Sequence, residues 1–257
     1  MHNVSEATLY WYRASFKTWT KYSAGDPKTW VMGMRAAGLS SRSVNTHICA
    51  LNAYWRWAGE PIKLAYLKEE QKILQTLSEP QIKALLAYKP TGTNVTRAFI
   101  AALVILDTGI RASELLGITS DAIDWDSLVL RVLGKGNKHR LVPFSLELRK
   151  RAYSFVSRNG NRFVFGTRNG TMLTIRNLER DIWKLGENVG ITGVRFSPHT
   201  LRHTMAVSYL RKGGDIYSLS RILGHTSVKT TEIYLRSIGI DDLKRNHSRL
   251  SLLCQRH

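Results

Sequence analysis

Acidic residues, cysteine and long apolar runs are all scarce in this chain of 257 residues. Its 19 Asp and Glu stand against 38 Lys and Arg, which gives a net charge of +19 at pH 7. An excess of this size favours a polyanionic partner, and nucleic acid is the usual one. A ribosome-associated protein and a peripheral membrane protein are the alternatives that composition leaves open.

The longest apolar run, residues 98–106, is about half as long as a helix that crosses a membrane. The N-terminus shows no signal-peptide pattern. Cys49 and Cys254 lie far apart and lack the spacing of metal ligands. We therefore expect a soluble protein in a reducing cytoplasm, with no membrane partner and with two structural thiols.

The basic charge is distributed along the chain and is not confined to one tail. Residues 1–77 contain ten Lys and Arg against five Asp and Glu, and residues 78–257 contain 28 against 14. This distribution favours a long contact surface for the partner. Hydrophobic residues make up 43% of the chain, with seven Trp and ten Tyr, which predicts a globular protein.

The first 75 residues show helical spacing, and helices are predicted over 5–23, 27–37 and 39–59. Serine at 40 or 41 begins the third helix, and Gly59 ends it. Its apolar stripe consists of Val44, Ile48, Leu51 and either Tyr54 or Trp55. Polar and basic side chains lie off that stripe and are the candidate nucleic-acid contacts of this part: Arg42, Asn45 and Arg56.

The charged stretch 66–78 reads as a linker, so we divide the chain into 1–75 and 76–257. In the second part, two β-rich runs at 128–133 and 140–144 flank the turn GKGNKH and predict a hairpin. The remaining predicted elements are helices over 78–88 and 95–107, a short strand at 162–166, and helices from 174 onward with breaks at 190–197, 213–214 and 239–242.

Four segments of the second part carry side chains suited to chemistry on a phosphate. They are DTGIRASELLGI with Arg111, GKGNK with Lys135 and Lys138, HTLRH at 199–203, and LGHTSVKTTEIYLR with His225 and Tyr234. Each segment taken alone also has an ordinary structural explanation, such as a solvated turn or a histidine that bonds between helices.

The segment HTLRH raises the question of a metal site, because His199 and His203 share one face of a helix. A zinc-protease helix requires a carboxylate beside the first histidine, and this position is Thr200. Arg202 would place a fixed positive charge next to a cation. The guanidinium instead matches the oxygens of a phosphate, so the segment favours an anion site over a zinc site.

Together the four segments resemble the tyrosine recombinase family, of the phage-integrase type, in the family's order and approximate spacing. The resemblance covers residues 78–257 and, more loosely, LSSRSVNTHICALNAYWRWA in the first part. It implies a mainly α fold with a small antiparallel β-sheet. A helical N-terminal core-binding (SAM-like) domain and a mixed α/β catalytic domain would form a C-shaped DNA clamp. The active-site positions that it implies are Arg111, Lys135, His199, Arg202, His225 and Tyr234.

Breaking and rejoining a phosphodiester requires these residue types, independently of the family resemblance. Tyr234 would attack phosphorus and form a 3′-phosphotyrosyl bond. Arg111 and Arg202, with a hydrogen bond from His225, would stabilise the charge on the phosphate oxygens. The candidate general acid is Lys135, with Lys138 as a nearby competitor and a candidate DNA contact, and the candidate base for the tyrosine is His199. No metal and no ATP are expected, and His203 is expected to support the helix that carries Arg202.

The family resemblance also implies double-stranded recombination sites as partners and a homotetramer on two sites. Exchange of the C-terminal tail, residues 240–253, would link the protomers; the alternative is that this tail packs on its own domain. We expect a cytoplasmic, nucleoid-associated enzyme.

The family-like core-binding part begins almost at Met1, so we expect no additional arm-binding domain of the kind that the large phage integrases have. Ordinary Xer proteins have an N-terminal domain longer than the 75 residues here, so we expect an integrase or transposase of a mobile element, with a Xer-like dimer resolvase as the alternative. A type IB topoisomerase and a DNA-binding protein with an inactive site are more remote alternatives.

Overall fold

The computed structural model describes residues 6–23, 25–69, 74–134, 139–158 and 160–251. Lys135, Lys138 and Cys254 lie outside the described residues. The chain forms two compact units that divide between residues 72 and 73, and the sequence predicts the division between 75 and 76. Within the described ranges, no helix is long and apolar enough to cross a membrane.

The N-terminal unit is helical and consists of α1 (Glu6–Tyr22), α2 (Pro27–Ala36) and α3 (Ser41–Ala58). Ser40 caps α3 through its hydroxyl, and Gly59 ends it with a φ of 75°, as predicted. The core comprises side chains from α2 and α3: Trp30, Met34, Val44, Ile48, Leu51 and Trp55. Trp55 is therefore the residue that completes the stripe, while Tyr54 is exposed.

Asn45 is buried and serves the interior of this unit. Its amide nitrogen donates to the carbonyl of Leu67 and to Glu69, each at 2.9 Å, and its oxygen accepts from the amide of Leu67 at 2.8 Å. These bonds attach the segment that follows α3 to the helix. We therefore assign Asn45 a structural role in place of a DNA contact, whereas Arg42 and Arg56 are exposed.

The C-terminal unit is built around a helix that is buried along most of its length, α5 (Thr93–Thr108). It packs against α8 and α9, which explains its nearly continuous run of apolar residues. The other helices are α4 (Glu79–Ala87), α6 (Ala112–Leu116), α7 (Leu146–Ser157), α8 (Ile175–Val189), α9 (Pro198–Arg211), α10 (Ile216–Leu223) and α11 (Ile240–Leu250), with 3₁₀ helices at Ser120–Ala122, Val228–Thr230 and Glu232–Ser237.

Three antiparallel strands cover one side of this unit: β1 (Ile123–Asp124), β2 (Val129–Leu133) and β3 (His139–Pro143). The hairpin of β2 and β3 is confirmed, with Leu130 opposite Val142. Two predictions are wrong. Residues 162–166 form only one isolated bridge, between Thr119 and Phe163, and α11 begins at residue 240, inside the predicted break.

Sequence reasoning also missed α7, whose apolar side chains recur at one helix face and join the core: Leu148, Ala152 and Val156. A second, smaller apolar cluster lies where α9, α10 and the last 3₁₀ helix meet. It contains Ala206, Val207, Leu210, Leu219, Leu223 and the ring of Tyr234. This cluster brings two of the four chemical segments together.

Candidate active site

Helix α9 positions the residues of the HTLRH segment. Ser197 caps its first turn by accepting a hydrogen bond from the amide of Thr200 at 3.2 Å, and Pro198 occupies the first helical position, where no amide hydrogen is needed. The sequence predicts a break at 190–197, and α9 begins directly after it, at Pro198. Arg202 points into the unit and is 6% exposed, whereas His199 is exposed to solvent.

The guanidinium of Arg202 is bonded to three residues in two other segments. It donates to the carbonyl of Gly109, to the carbonyl of Leu223 at 2.9 Å, and to Nε2 of His225 at 3.0 Å. Burial, together with the nearby Arg111, lowers the pKa of Arg202 to about 10, so the side chain is still cationic at neutral pH. These bonds use three of its five N–H groups.

A buried carboxylate organises the other arginine. Arg111 is the N-cap of α6, and Glu114, three residues later, accepts from its amide at 2.7 Å and from its Nη1 at 2.9 Å. Arg140 on β3 donates to both oxygens of the same carboxylate, at 2.8 and 3.0 Å. Burial alone would raise the pKa of Glu114, but the bonds from Arg140 and Arg111 lower it, and the group is a carboxylate at neutral pH.

Three arginines meet at the C-terminus of α10. Arg140 donates to the carbonyl of residue 222 at 3.2 Å, Arg202 to that of residue 223 at 2.9 Å, and Arg111 to that of residue 224 at 3.1 Å. The last carbonyls of a helix have no partner within it and carry the negative end of the helix dipole. Here these consecutive carbonyls hold the cations of the site in place.

Two glycines make this arrangement possible. Gly109 has a φ of 68°, and a Cβ there would lie 2.7 Å from the side chain of Leu223. Gly224 has a φ of 64°, and a Cβ there would lie 2.7 Å from the guanidinium carbon of Arg140. Both residues combine a left-handed backbone with a close approach that any side chain would obstruct.

His225 follows directly and is bonded through both ring nitrogens. Its Nε2 contacts the guanidinium of Arg202, and its Nδ1 lies 2.8 Å from the hydroxyl of Thr231. Because a guanidinium can only donate, we assign the ring hydrogen to Nδ1. Burial and the nearby Arg202 and Arg111 lower the pKa of His225 to about 4, so the ring is neutral at neutral pH.

Tyr234 lies on the 3₁₀ helix Glu232–Ser237 and is 2% exposed. Its hydroxyl lies 3.2 Å from Nδ1 of His203. Burial raises the pKa of Tyr234, and the cations of Arg202 and Arg111 oppose that rise. The sequence predicts His199 as the base for the tyrosine and His203 as a support for the helix. In the structure, the ring nitrogen beside the hydroxyl belongs to His203.

The structure thus brings together Arg111, Arg202, His225 and Tyr234, and it leaves His199 in solvent one turn away from His203. Two members of the site were missed. Glu114 had a sequence signal, an acidic residue at the third position after a helix start. Arg140 had none, because its partners are a distant carboxylate and a backbone carbonyl. Within the described ranges, no cluster of three His, Cys, Asp or Glu could hold a metal ion.

Comparison with known proteins identifies the family to which this arrangement belongs. The model of the phage integrase family matches residues 75–238. The XerA tyrosine recombinase of Pyrococcus furiosus is 31% identical over 240 residues, which are 90% of this chain and 82% of the relative. The chain therefore belongs to the phage integrase family and is a tyrosine recombinase, an enzyme of site-specific recombination.

Two further comparisons, one with a sequence relative and one with a solved structure, agree with this family. The XerC tyrosine recombinase of Anoxybacillus flavithermus is 26% identical over 252 residues, covering 91% of this chain and 84% of the relative. The Tn1549 transposon integrase, solved in complex with transposon right end DNA, has a TM-score of 0.79 at 19% identity and covers 97% of this chain and 95% of that one. The mainly helical fold with a small sheet is thus the fold of this family.

Proposed function

We propose that this enzyme cleaves and rejoins duplex DNA at specific sites through a covalent bond between Tyr234 and a 3′-phosphate. The observation that carries the proposal is that Tyr234 lies within the influence of two cations, Arg202 and Arg111, whose positions are set by backbone carbonyls. Attack by a protein oxygen conserves the energy of the phosphodiester, so rejoining needs no ATP.

Each residue has a separate part in this scheme. Arg111, whose side chain is 41% exposed, presents its guanidinium to an incoming phosphate. The buried Arg202 stabilises the negative charge of the same phosphate from the interior side. These cations supply the positive charge that divalent metals supply in many nucleases, so we propose a reaction without a metal. Lys135, which lies outside the described residues, remains our candidate for protonating the leaving 5′-oxygen.

Duplex DNA is the proposed partner. Supporting it are the net charge of +19 and the DNA that the Tn1549 integrase and the XerH recombinase hold in their solved structures. A basic face on α8 exposes Arg176, Arg180 and Lys184, one turn apart, and Trp183 is 49% exposed beside them. We propose that this face and the exposed Arg42 and Arg56 contact DNA, and that the enzyme acts at the nucleoid.

The C-terminal helix supports a proposal about assembly. On α11, Ile240, Leu243 and Leu250 are exposed, while Asp242 is buried and pairs with Arg211 at 3.4 Å and Arg245 at 2.7 Å. The helix thus attaches to its own unit through a carboxylate and leaves apolar side chains uncovered. We propose that a neighbouring protomer covers them in a tetramer that passes through a Holliday junction.

Two biological roles remain, and a specific observation favours each. The identity of 31% to a XerA recombinase favours resolution of chromosome or plasmid dimers. The match to the Tn1549 integrase over 97% of this chain supports integration of a mobile element, through fold alone. The DNA sequence that the enzyme selects separates them, because it locates either a single resolution site or the ends of an element in the source genome.

The test uses a pool of nicked duplexes with a randomised central segment, in the presence of a chelator. We expect the wild-type protein to form a denaturant-resistant adduct at the 3′ side of the cut and to enrich one sequence over successive rounds. Tyr234→Phe should form none, while Tyr217→Phe, an exposed tyrosine on α10, should behave as wild type. An adduct with Tyr234→Phe, or cleavage only with added metal, contradicts the proposal.

A further inference from the structure

Arg140 is a cation at a core-facing position of a β-strand. Side chains alternate between the two faces of β3, and Arg140 shares its face with the buried Val142, whereas His139 and Leu141 are exposed. The side chain of Arg140 is 17% exposed, compared with 41% for that of Arg111. A largely buried cation is costly unless the fold supplies partners for it, so its partners indicate its role.

Each of the three guanidinium nitrogens of Arg140 donates a hydrogen bond within the protein. Nη1 and Nη2 donate to the two oxygens of Glu114, at 2.8 and 3.0 Å, and Nε donates to the carbonyl of Ile222 at 3.2 Å. Because a guanidinium is planar, bonds to both oxygens fix the plane and the position of the carboxylate. Arg140 thus joins β3 to Glu114 and to the end of α10.

Both groups that hold Arg111 lie against Arg140. The first is Glu114, which accepts from the amide and from Nη1 of Arg111. The second is the carbonyl of Gly224, which accepts from Nη2 of Arg111 at 3.1 Å. A Cβ on Gly224 would lie 2.7 to 2.9 Å from three guanidinium atoms of Arg140, so this guanidinium packs directly against the backbone of Gly224. Arg140 therefore supports both partners of the exposed arginine.

The charges of this group give Arg140 a second effect. Glu114 is negative and pairs with two positive side chains, Arg111 and Arg140, so the three together carry one net positive charge. Without Arg140, Glu114 and Arg111 would form a neutral pair, and both carboxylate oxygens would be free to bind the guanidinium of Arg111. That pairing would draw Arg111 away from Gly224 and would cancel the charge that it offers to a phosphate.

We propose that Arg140 is a positioning residue of this recombinase. By holding Glu114 and the backbone of Gly224, it keeps the guanidinium of Arg111 directed at the phosphate, and it keeps the charge of that guanidinium available. The inference rests on the proposed function, in which Arg111 binds the phosphate that Tyr234 attacks. Arg140 acts through Arg111 and is not assigned a contact of its own with DNA.

Arg140→Gln tests the effect on the reaction, because it removes the charge and keeps an amide donor. The probe is the nicked duplex that the wild-type protein enriches from the pool, and the measurement is the single-turnover rate of adduct formation at saturating DNA. We expect the rate to fall about 10- to 100-fold, as when a group that binds the reacting phosphate is displaced. The matched control is Arg149→Gln, whose ion pair is with the exposed Asp126, and it should keep the wild-type rate.

Two double variants separate positioning from general support of the fold. Glu114→Gln combined with Arg140→Gln leaves Arg111 as the one charged member of the group and restores its net positive charge. This double variant should therefore be about fivefold faster than Arg140→Gln alone, whereas a purely structural role would make it slower still. In an Arg111→Gln background, Arg140→Gln should change the rate by less than about threefold, because the residue through which it acts is absent.

Thermal melting checks the folding of each variant, and Arg140→Lys replaces Arg140→Gln if the latter is unfolded. An ammonium keeps the charge, but it cannot bind both oxygens of Glu114 and the carbonyl of Ile222 in one plane, so we expect a loss of about tenfold. The comparison in the Arg111→Gln background then applies unchanged.

Three results would overturn the assignment. The first is a rate for Arg140→Gln, or for its lysine replacement, within about threefold of wild type. The second is a Glu114→Gln and Arg140→Gln double variant that is no faster than Arg140→Gln. The third is a full further loss in the Arg111→Gln background, which would indicate that Arg140 contacts the DNA itself. A wild-type protein that forms no adduct would instead remove the proposed function, which is a distinguishable outcome.

Discussion

The arginine cluster and the nucleophile segment are held in different ways. The arginine cluster consists of Arg111, Arg140, Arg202 and Glu114, and its bonds reach one buried carboxylate and consecutive helix-end carbonyls. The nucleophile segment, residues 228–251, consists of two 3₁₀ helices and α11. Its attachments include one apolar cluster, the hydrogen bond between His203 and Tyr234, and the ion pairs of Asp242. Further hydrogen bonds join His225 to Thr231, Arg211 to the carbonyl of Ser237 and Asn246 to the carbonyl of Leu210.

This difference matches two demands of the proposed reaction. Groups that stabilise charge in a transition state work best when they are placed before the substrate arrives, since no reorganisation is then needed. A segment that must present a tyrosine and pass a helix to a neighbour requires attachments that open at low cost. In the first region the pair of Arg140 with Glu114 is largely buried, whereas in the second region both arginine partners of Asp242 are largely exposed.

The largest effect is expected from breaking the arginine cluster at its centre. Arg202→Lys cannot reach Gly109, Leu223 and His225 at once, because an ammonium lacks the planar fork. Adduct formation at saturating DNA should fall about 100- to 1000-fold. Arg195→Lys, an exposed arginine that precedes α9, is the matched control and should leave the rate unchanged. Retention of the full rate by Arg202→Lys would show that the carbonyl bonds do not matter.

Removing the shared carboxylate tests the cluster through stability. Glu114→Gln leaves Arg111 and Arg140 close together without a counter-charge, and breaking such a buried pair costs about 3 kcal/mol. Chemical denaturation should show this loss, whereas Glu147→Gln, whose pair with Arg151 is exposed, should change stability by less than about 1 kcal/mol. Equal losses in the two variants would contradict the central position of Glu114.

The pH dependence of the free energy of unfolding tests the contribution of His225, which is bonded to the arginine cluster through Arg202. The pKa of His225 is about 4 in the folded protein and 6.5 ordinarily, so acid protonates the unfolded chain first. Its contribution is therefore complete above pH 6.5 and is lost as the pH falls toward about 4. His225→Asn should reduce the change in the free energy of unfolding between pH 6.5 and about 4. Some pH dependence should remain, because the pKa of His203 is also lowered in the folded protein.

The smallest effect concerns the nucleophile segment. Asp242→Asn removes the charge that pairs α11 with Arg211, and because both arginine partners of Asp242 are largely exposed, we expect a local cost of up to about 1 kcal/mol. Amide hydrogen exchange should accelerate in α11 and remain unchanged at α9. The control is Asp241→Asn, an exposed neighbour. Equal exchange in both variants would mean that the carboxylate does not hold the helix.

Much of the local structure was predictable because its signals are local. Ser40, Ser78 and Ser197 cap helices, Gly59 ends one, and alternation over 128–133 and 140–144 gave the hairpin. The errors arose where a signal depends on distant packing. The run at 162–166 has the composition of a strand, but it finds only a single-bridge partner.

The residues of the site also separate into those that the sequence predicted and those that depend on distant packing. The family resemblance predicted Arg111, Arg202, His225 and Tyr234 as site residues, and the structure brings these four side chains close together. Arg140 could not be found, because the carbonyl that it binds has no sequence signature. The sequence predicts His199 as the base and His203 as a support, but positions four apart share one helix face, and the packing of the 3₁₀ helix places His203 beside the tyrosine.

The sequence by itself determined the family, the helical units and the residue types that the chemistry requires, because periodicity, caps and motif spacing are properties of neighbouring residues. The tertiary structure decided which groups meet. It directed three guanidinium groups to consecutive carbonyls at the end of α10, buried Glu114 between two of them, and turned His203 toward Tyr234. These contacts join segments far apart in the chain, and their directionality exists only once the backbone between them has folded.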